Sequence, residues 1–371
     1  MKAFILESSE IFVGGVSLRE RSERMLHQLG VSAFHHASPQ SLTLSADSVL
    51  ILWGDRLLDP RIIQALINAS GNVLAVDGRS PLDWVGAARI ELSSPQKIEP
   101  SVFHSPDRMI EKLRSRCTAL DLSRLDDYIP KLRRRVPLYW LPVKNSSDVR
   151  RAEQILIESA AKDPSDLMAI MHRPIENWVV SRLAHTSITP NQVTFFVNIS
   201  AWVATSLFAT GHLWEASILT LFVGLFDGFD GKLARLKCLT TNIGSLEHSF
   251  DLLFEFSWIL ALAYYLSQTE GTLPLLLAAS TLALVGFYRS IYERYGQAAG
   301  RSLDVSSPFF EKVFRRVAAR RNLLNVEILI FVLLGRPLWA LWALLIHAGL
   351  TAIIYSLQAW KGLYYLDRDR A

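Results

Sequence analysis

The chain has 371 residues, of which 50% are hydrophobic and 20% charged, with a mean hydropathy of +0.22. That balance excludes an intrinsically disordered chain, and two cysteines, Cys117 and Cys238, exclude a disulfide scaffold and a thiolate zinc site. A formal net charge of +4 is mildly basic and matters only where charges cluster; no nucleic-acid partner is expected from it.

The first elements read as a soluble α/β domain over residues 1–165. Met1–Leu6 is too short an apolar run for a signal peptide, and Glu7 and Glu10 follow at once. Lys2–Leu6, Ser48–Trp53 and Asn72–Asp77 are short aliphatic runs of the kind that make buried parallel strands. Helical patterns lie between and after them: Leu18–Leu29, Pro60–Ile67 with Pro60 suited to a first turn, Asp107–Ala119 and Ser123–Arg135. The alternation predicts a doubly wound, Rossmann-like sheet. Asp148–Ala161 then reads as a charged helix. Within a linker at 166–188, Pro174–Ala184 reads as an amphipathic helix lying at a membrane interface, with Trp178, Val179 and Leu183 opposed to Arg173, Glu176 and Arg182.

Residues 189–371 change character. Glu215 is the only formal charge from Leu183 to Phe226, and there is none in Phe256–Thr269, Gly271–Tyr288 or Pro337–Trp360. A hydrocarbon core of about 30 Å needs about 20 apolar residues per helix. An all-α membrane domain of six spans is expected, roughly Thr194–Thr210, His212–Phe226, Ser249–Gln268, Leu273–Tyr292, Leu323–Leu334 and Leu338–Tyr364. The fifth is short and carries Glu327, expected to pair with a nearby arginine, and a five-span count is the alternative. Basic residues crowd Lys232–Lys237 and Arg289–Arg321, which puts both termini and these loops in the cytoplasm.

The chemistry falls at the end of the second span and the start of the third. Asp227 and Asp230 are three apart, and Glu247 and Asp251 four apart, so two antiparallel helices can point four carboxylates into one space. Acids at membrane depth are costly and normally functional. Four of them without an equal set of bases call for a cation, and hard oxygen ligands favour Mg²⁺ or Mn²⁺. Gly228, Gly231 and Ala234 leave the same helix face open to a bulky ligand. A cation transporter using these acids is the rival reading.

Asp227-Gly-Phe-Asp230-Gly231-Lys-Leu-Ala234-Arg235, followed by Gly244 and two further acids, resembles the signature D-x-x-D-G-x-x-A-R…G of the CDP-alcohol phosphotransferases. Thr189-Pro190-Asn191-Gln192-Val193-Thr194 is similar to the segment that precedes the first span in that family. The resemblance implies six transmembrane helices, a homodimer among membrane lipids, and attack of an acceptor alcohol on a CDP-alcohol with release of CMP. It implies metal ligation by Asp227, Asp230, Glu247 and Asp251, with Asp251 also the general base. Asn191, Thr194, Gly231, Ala234, Arg235, Thr241 and Gly244 would line the CDP site, and Arg289, Arg294, Arg320 and Arg321 would hold a phosphorylated acceptor. The setting it implies is a prokaryotic plasma membrane with the site on the cytoplasmic face. The chain departs from the pattern in one place: the family's third acid falls on His248, so either one residue is deleted and Glu247 serves, or His248 is the ligand. In the first half, Val13-Gly14-Gly15-Val16 and Ser48–Asp55 resemble a sugar-phosphate nucleotidyltransferase, but Leu6 leads into Glu7-Ser-Ser-Glu10 instead of a glycine-rich phosphate loop. A degenerate, non-catalytic nucleotidyltransferase-like domain is implied.

Overall fold

Aliphatic residues at alternate or consecutive positions build the first sheet. The computed structural model describes residues 1–6, 9–31, 33–37, 47–77, 84–92, 118–162, 167–240, 247–300, 303 and 309–368. Strands β1 (Lys2–Leu6), β4 (Ala33–Ala37), β5 (Asp47–Trp53), β7 (Val73–Val76), β8 (Trp84–Leu92) and β9 (Thr118–Asp121) form one six-stranded sheet in the order β4-β1-β5-β8-β7-β9. β1 runs parallel to β4 and β5, and β7 parallel to β9. β8 enters antiparallel between β5 and β7, so the sheet is mixed rather than wholly parallel. Helices α1 (Leu18–Gln28) and α2 (Pro60–Asn68) pack on it through Met25, Leu26, Ile62, Ile63 and Leu66. Ser17 caps α1, and Asp59 caps α2 ahead of Pro60 at its first turn.

Ser123–Arg135 is not the expected helix. Leu122, Leu125, Ile129 and Leu132 have helical spacing, but Pro130 removes a donor and blocks the helix from within. Instead a short hairpin of β10 (Tyr128–Ile129) and β11 (Arg134–Arg135) brackets a 3₁₀ turn at Pro130–Leu132. Of the other expected helix, Asp107–Ala119, residues 107–117 lie outside the described residues, and Thr118 and Ala119 belong to β9.

A second set of short strands, β2 (Phe12–Val13) with β3 (Val16–Ser17) and β6 (Arg56–Leu58) with β12 (Trp140–Pro142), leads to α3 (Ser146–Ala160) and α4 (Leu167–Ala184). The Gly14–Gly15 turn between β2 and β3 sits at positive φ, and a Cβ on Gly15 would lie 1.7 Å from the Ala184 carbonyl oxygen. The glycine pair thus lets this turn dock on the end of α4.

Six helices follow: α5 (Pro190–Ala209), α6 (Leu213–Leu236), α7 (Glu247–Glu270), α8 (Leu273–Ala299), and, after the short α9 (Phe309–Val317), α10 (Arg321–Leu333) and α11 (Pro337–Arg368). Four of them, α5, α7, α8 and α11, are long and apolar enough to cross a membrane. α6 has 24 residues but carries the acids and Lys232 near one end. α10 has 13 residues, about 20 Å, shorter than a hydrocarbon core. Close approach is made by alanines, Ala201, Ala204, Ala263, Ala278 and Ala348 among them, each fully buried. Trp258 donates from its indole N–H to the Ala201 carbonyl at 3.0 Å. Glu327 in α10 pairs with His347 of α11 at 2.5 Å rather than with an arginine. Large apolar side chains such as Phe195, Leu276, Ile353 and Trp360 face outward, as lipid contact requires.

The two halves share a core. Val13, Leu18, Val143 and Leu156 from the first pack with Phe229, Leu233 and Leu236 at the end of α6. Arg24 and Gln28 of α1 donate to the carbonyls of Lys237 and Cys238, at 2.6 and 2.9 Å.

Candidate active site

The site begins with the N-terminus of α5. Thr189 and Gln192 form a capping box around Pro190, which starts the helix cleanly. One turn on, the Thr194 hydroxyl donates to Asp230 Oδ2 at 2.5 Å. The Gly231 N–H donates to the other Asp230 oxygen at 2.5 Å, so this carboxylate, 3% exposed, is held at both ends. One turn earlier on α6, Asp227 faces the same space, and Asp251 meets it from α7.

The four acids were expected to lack basic partners; Arg321 supplies one. Its guanidinium, at the start of α10, donates to Asp227 Oδ2 at 2.5 Å and to Asp251 Oδ1 at 2.8 Å. Glu255, one turn beyond Asp251 on α7, is 1% exposed and pairs with Arg289 of α8. Glu255 is not among the residues expected from the sequence, although its four-residue spacing from Asp251 puts it on the same helix face. Glu247 and His248 open α7, but their side chains lie outside the described residues, as do Thr241 and Gly244.

Asp227, Gly228, Gly231, Arg235, Asp251, Glu255 and Arg321 line a cavity of about 860 Å³, and Thr194 and Asp230 are not on its wall. Arg289 and Arg320 also reach it, and Arg320 stacks over Tyr292 at 5.9 Å. The other predicted residues are placed elsewhere: Arg294 is exposed on α8, Asn191 is exposed at the start of α5, and Ala234 is half-buried beyond the cavity wall. The open face at Gly228 is taken by protein, since a Cβ there would lie 2.6 Å from the Glu176 carboxylate of α4.

The cations beside the aspartates hold the scaffold. Lys232, 2% exposed, hydrogen-bonds Asn177 and pairs with Glu176 at 3.6 Å. Arg235 Nε donates to the Ala160 carbonyl at the end of α3, at 2.7 Å. Lys237 donates to the Thr186 and Ile188 carbonyls in the α4–α5 link at 2.8 and 2.9 Å.

Among the described residues, no three His, Cys, Asp or Glu side chains are grouped closely enough to hold one ion. The donor chemistry nevertheless fits a hard divalent cation. Asp227 and Asp251 both turn an oxygen toward one positive group, the Arg321 guanidinium, and Asp230 stands one turn away.

Residues 187–353 match the family model described as CDP-alcohol phosphatidyltransferase. The chain is 27% identical to the bifunctional IPC transferase and DIPP synthase of Aquifex aeolicus, over 60% of this chain and 52% of that protein. It is 30% identical to the phosphatidylinositol phosphate synthase of Corynebacterium glutamicum, over 34% of this chain and 59% of that protein. The chain thus spans about half the length of the curated relatives it matches. The crystal structure of a Mycobacterium tuberculosis phosphatidylinositol phosphate synthase in complex with manganese and citrate superposes with a TM-score of 0.40 at 21% identity, over 50% of this chain and 88% of that one.

Proposed function

From the CDP-alcohol phosphatidyltransferase domain at residues 187–353 and the carboxylates it brings together, we infer that the chain is an integral-membrane CDP-alcohol phosphotransferase. It moves a substituted phosphate from a CDP-alcohol, either CDP-diacylglycerol or a CDP-polyol such as CDP-inositol, to a second alcohol, and releases CMP. The observation that carries this reading is the meeting of Asp227 and Asp251, from two helices, on the wall of a cation-lined cavity, with the buried Asp230 one turn from Asp227. A purified sample in lipid, assayed for CMP release over a panel of CDP-alcohols and acceptors, tests it. A chain that moves ions across a vesicle but releases no CMP from any donor would be the transporter instead.

Asp227, Asp230, Asp251 and, in the one-residue-deletion register, Glu247 would hold Mg²⁺ or Mn²⁺. Such an ion neutralises charge on the diphosphate when bound. Gly231 and Arg235 lie on the cavity wall where the donor's diphosphate would rest, Gly231 giving close access to backbone. Asp251 takes the proton from the acceptor hydroxyl as its oxygen bonds to phosphorus and the bond from phosphorus to CMP breaks. Arg289 and Arg320 would face the acceptor's anionic group. The reading extends to six spans, with α6 and α10 completing the four apolar helices, to a homodimer in a prokaryotic plasma membrane, and to a cytoplasmic N-terminal domain. Domain limits of 1–165, 166–188 and 189–371 go with it. Under this reading the N-terminal domain is a nucleotidyltransferase-like fold without the activity, since its Gly14–Gly15 turn is packed on α4.

A further inference from the structure

The cavity is not closed by the membrane helices alone. Pro130, Lys131 and Arg133 of the β10–β11 hairpin, and Lys162 just past α3, stand on its wall. All four precede the residues that match the family model. Among the cavity residues that precede residue 187, Lys131, Arg133, Lys162 and Arg173 are cationic, and Glu176 is the one carboxylate, already paired with Lys232. The N-terminal half thus adds positive charge to the wall of a space that also holds Asp227 and Asp251.

The hairpin is built to hold this position. Leu132 is 4% exposed and anchors the turn between the two cations. Arg134 donates to the Glu158 carbonyl of α3 at 2.7 Å, and Arg235 bolts the end of the same helix to α6 through Ala160. Arg133 itself is held in the left-handed region, at φ 56, with its N–H donating to the Ile129 carbonyl at 2.9 Å. This is the left-handed cap that closes the 3₁₀ turn Pro130–Leu132, and it fixes where the hairpin carries Arg133.

We propose that Lys131 and Arg133 complete the substrate site from the N-terminal domain by binding phosphate oxygens of a substrate lodged in the cavity. The chemistry is that of a phosphoryl group, either on the donor's diphosphate or on a phosphorylated acceptor. A cationic pair on the cavity wall concentrates such anions and orients them toward Asp227 and Asp251. The inference rests on the phosphotransferase reading, and the test separates the two.

The full chain in lipid is compared with Lys131→Gln, Arg133→Gly and Arg133→Lys. Glycine accepts the left-handed backbone without strain, so Arg133→Gly removes the guanidinium and its stem while leaving the turn geometry in place. Lys131→Gln and Arg133→Gly should each raise KM for one phosphate-bearing substrate by about tenfold, the worth of one charge-assisted hydrogen bond, with kcat within twofold. Arg133→Lys should restore most of the loss. The affected KM, donor or acceptor, identifies the source of the phosphate. Unchanged KM values for both substrates would overturn the proposal, as would a fall in kcat and thermal stability together without rescue by Arg133→Lys. In a parallel arm, thermal stabilisation by inorganic pyrophosphate is measured on the same proteins. Weaker binding by the two charge-removing variants supports the proposal even if the wild-type chain releases no CMP, in which case the functional reading fails and this one stands; equal binding by all variants overturns it.

Discussion

Arg321 occupies the position between Asp227 and Asp251 that charge balance would otherwise assign to a metal ion. Its side chain is 12% exposed, so removing it leaves two carboxylates facing each other with little water. Breaking a buried pair in this way costs about 3–5 kcal/mol. Arg321→Gln should therefore melt well below the wild type in chelator and recover most of the difference in Mg²⁺ or Mn²⁺, because a divalent cation replaces the lost charge. A variant whose melting temperature ignores the metal would show that these acids do not bind one. The same residues settle the register. Asp251→Asn and Glu247→Gln should each lower turnover by about 10²-fold or more, the base alone contributing typically 10²–10⁴. His248→Ala should be mild, since successive helix positions point about 100° apart. Lost activity in His248→Ala with Glu247→Gln tolerated would reverse the assignment.

At the scale of elements, the glycine pair at Gly14–Gly15 makes a sharp prediction. A methyl on Gly15 would sit 1.7 Å from a backbone oxygen of α4, at a φ of 74° that side chains avoid. Gly15→Ala must push the β2–β3 turn off α4, and limited proteolysis should then cut near residues 12–17 while the wild type resists. Equal resistance would mean the contact carries no weight. Elements defined by local pattern are legible: β1, β5 and β7 by their aliphatic runs, α1 by spacing and α2 by Pro60 in its first turn. β8 is not, because Gly86, Ala87, Ala88 and Arg89 dilute its apolar pattern, and its membership depends on pairing with β5 and β7. The hairpin at Tyr128–Arg135 was misread because one proline outweighs a full helical period of leucines. In the site, the paired aspartates could be read from i,i+3 spacing. Arg321 is expected from the sequence to hold a phosphorylated acceptor, and its pairing with Asp227 and Asp251 is not legible there, since it lies 94 residues from Asp227 and nothing local marks it as a partner.

At the scale of the whole chain, the sheet and the membrane helices are joined by packing as well as by the linker. Leu156 of α3 is 4% exposed and belongs to the same core as Phe229, Leu233 and Leu236 of α6. Phe229 and Asp230 are neighbours, so whatever disturbs that core acts next to the carboxylate that Thr194 holds. Truncating a buried leucine costs about 2–5 kcal/mol through lost burial and the cavity left behind. Leu156→Ala should therefore lower two midpoints together. One is the loss of the sheet signal, followed through the edge-to-face pair of Trp53 and Trp84, whose ring centroids are 5.6 Å apart. The other is thermal inactivation of CMP release. If the two halves were independent modules on a linker, the sheet would melt early while the membrane helices kept their activity. Coincident midpoints in the wild type and a common downward shift in Leu156→Ala are expected instead, because the end of α6 is the floor of one half and part of the core of the other. A variant that loses the sheet signal early yet retains wild-type inactivation kinetics would break this link. It would also remove the rigid base on which the β10–β11 hairpin reaches the cavity.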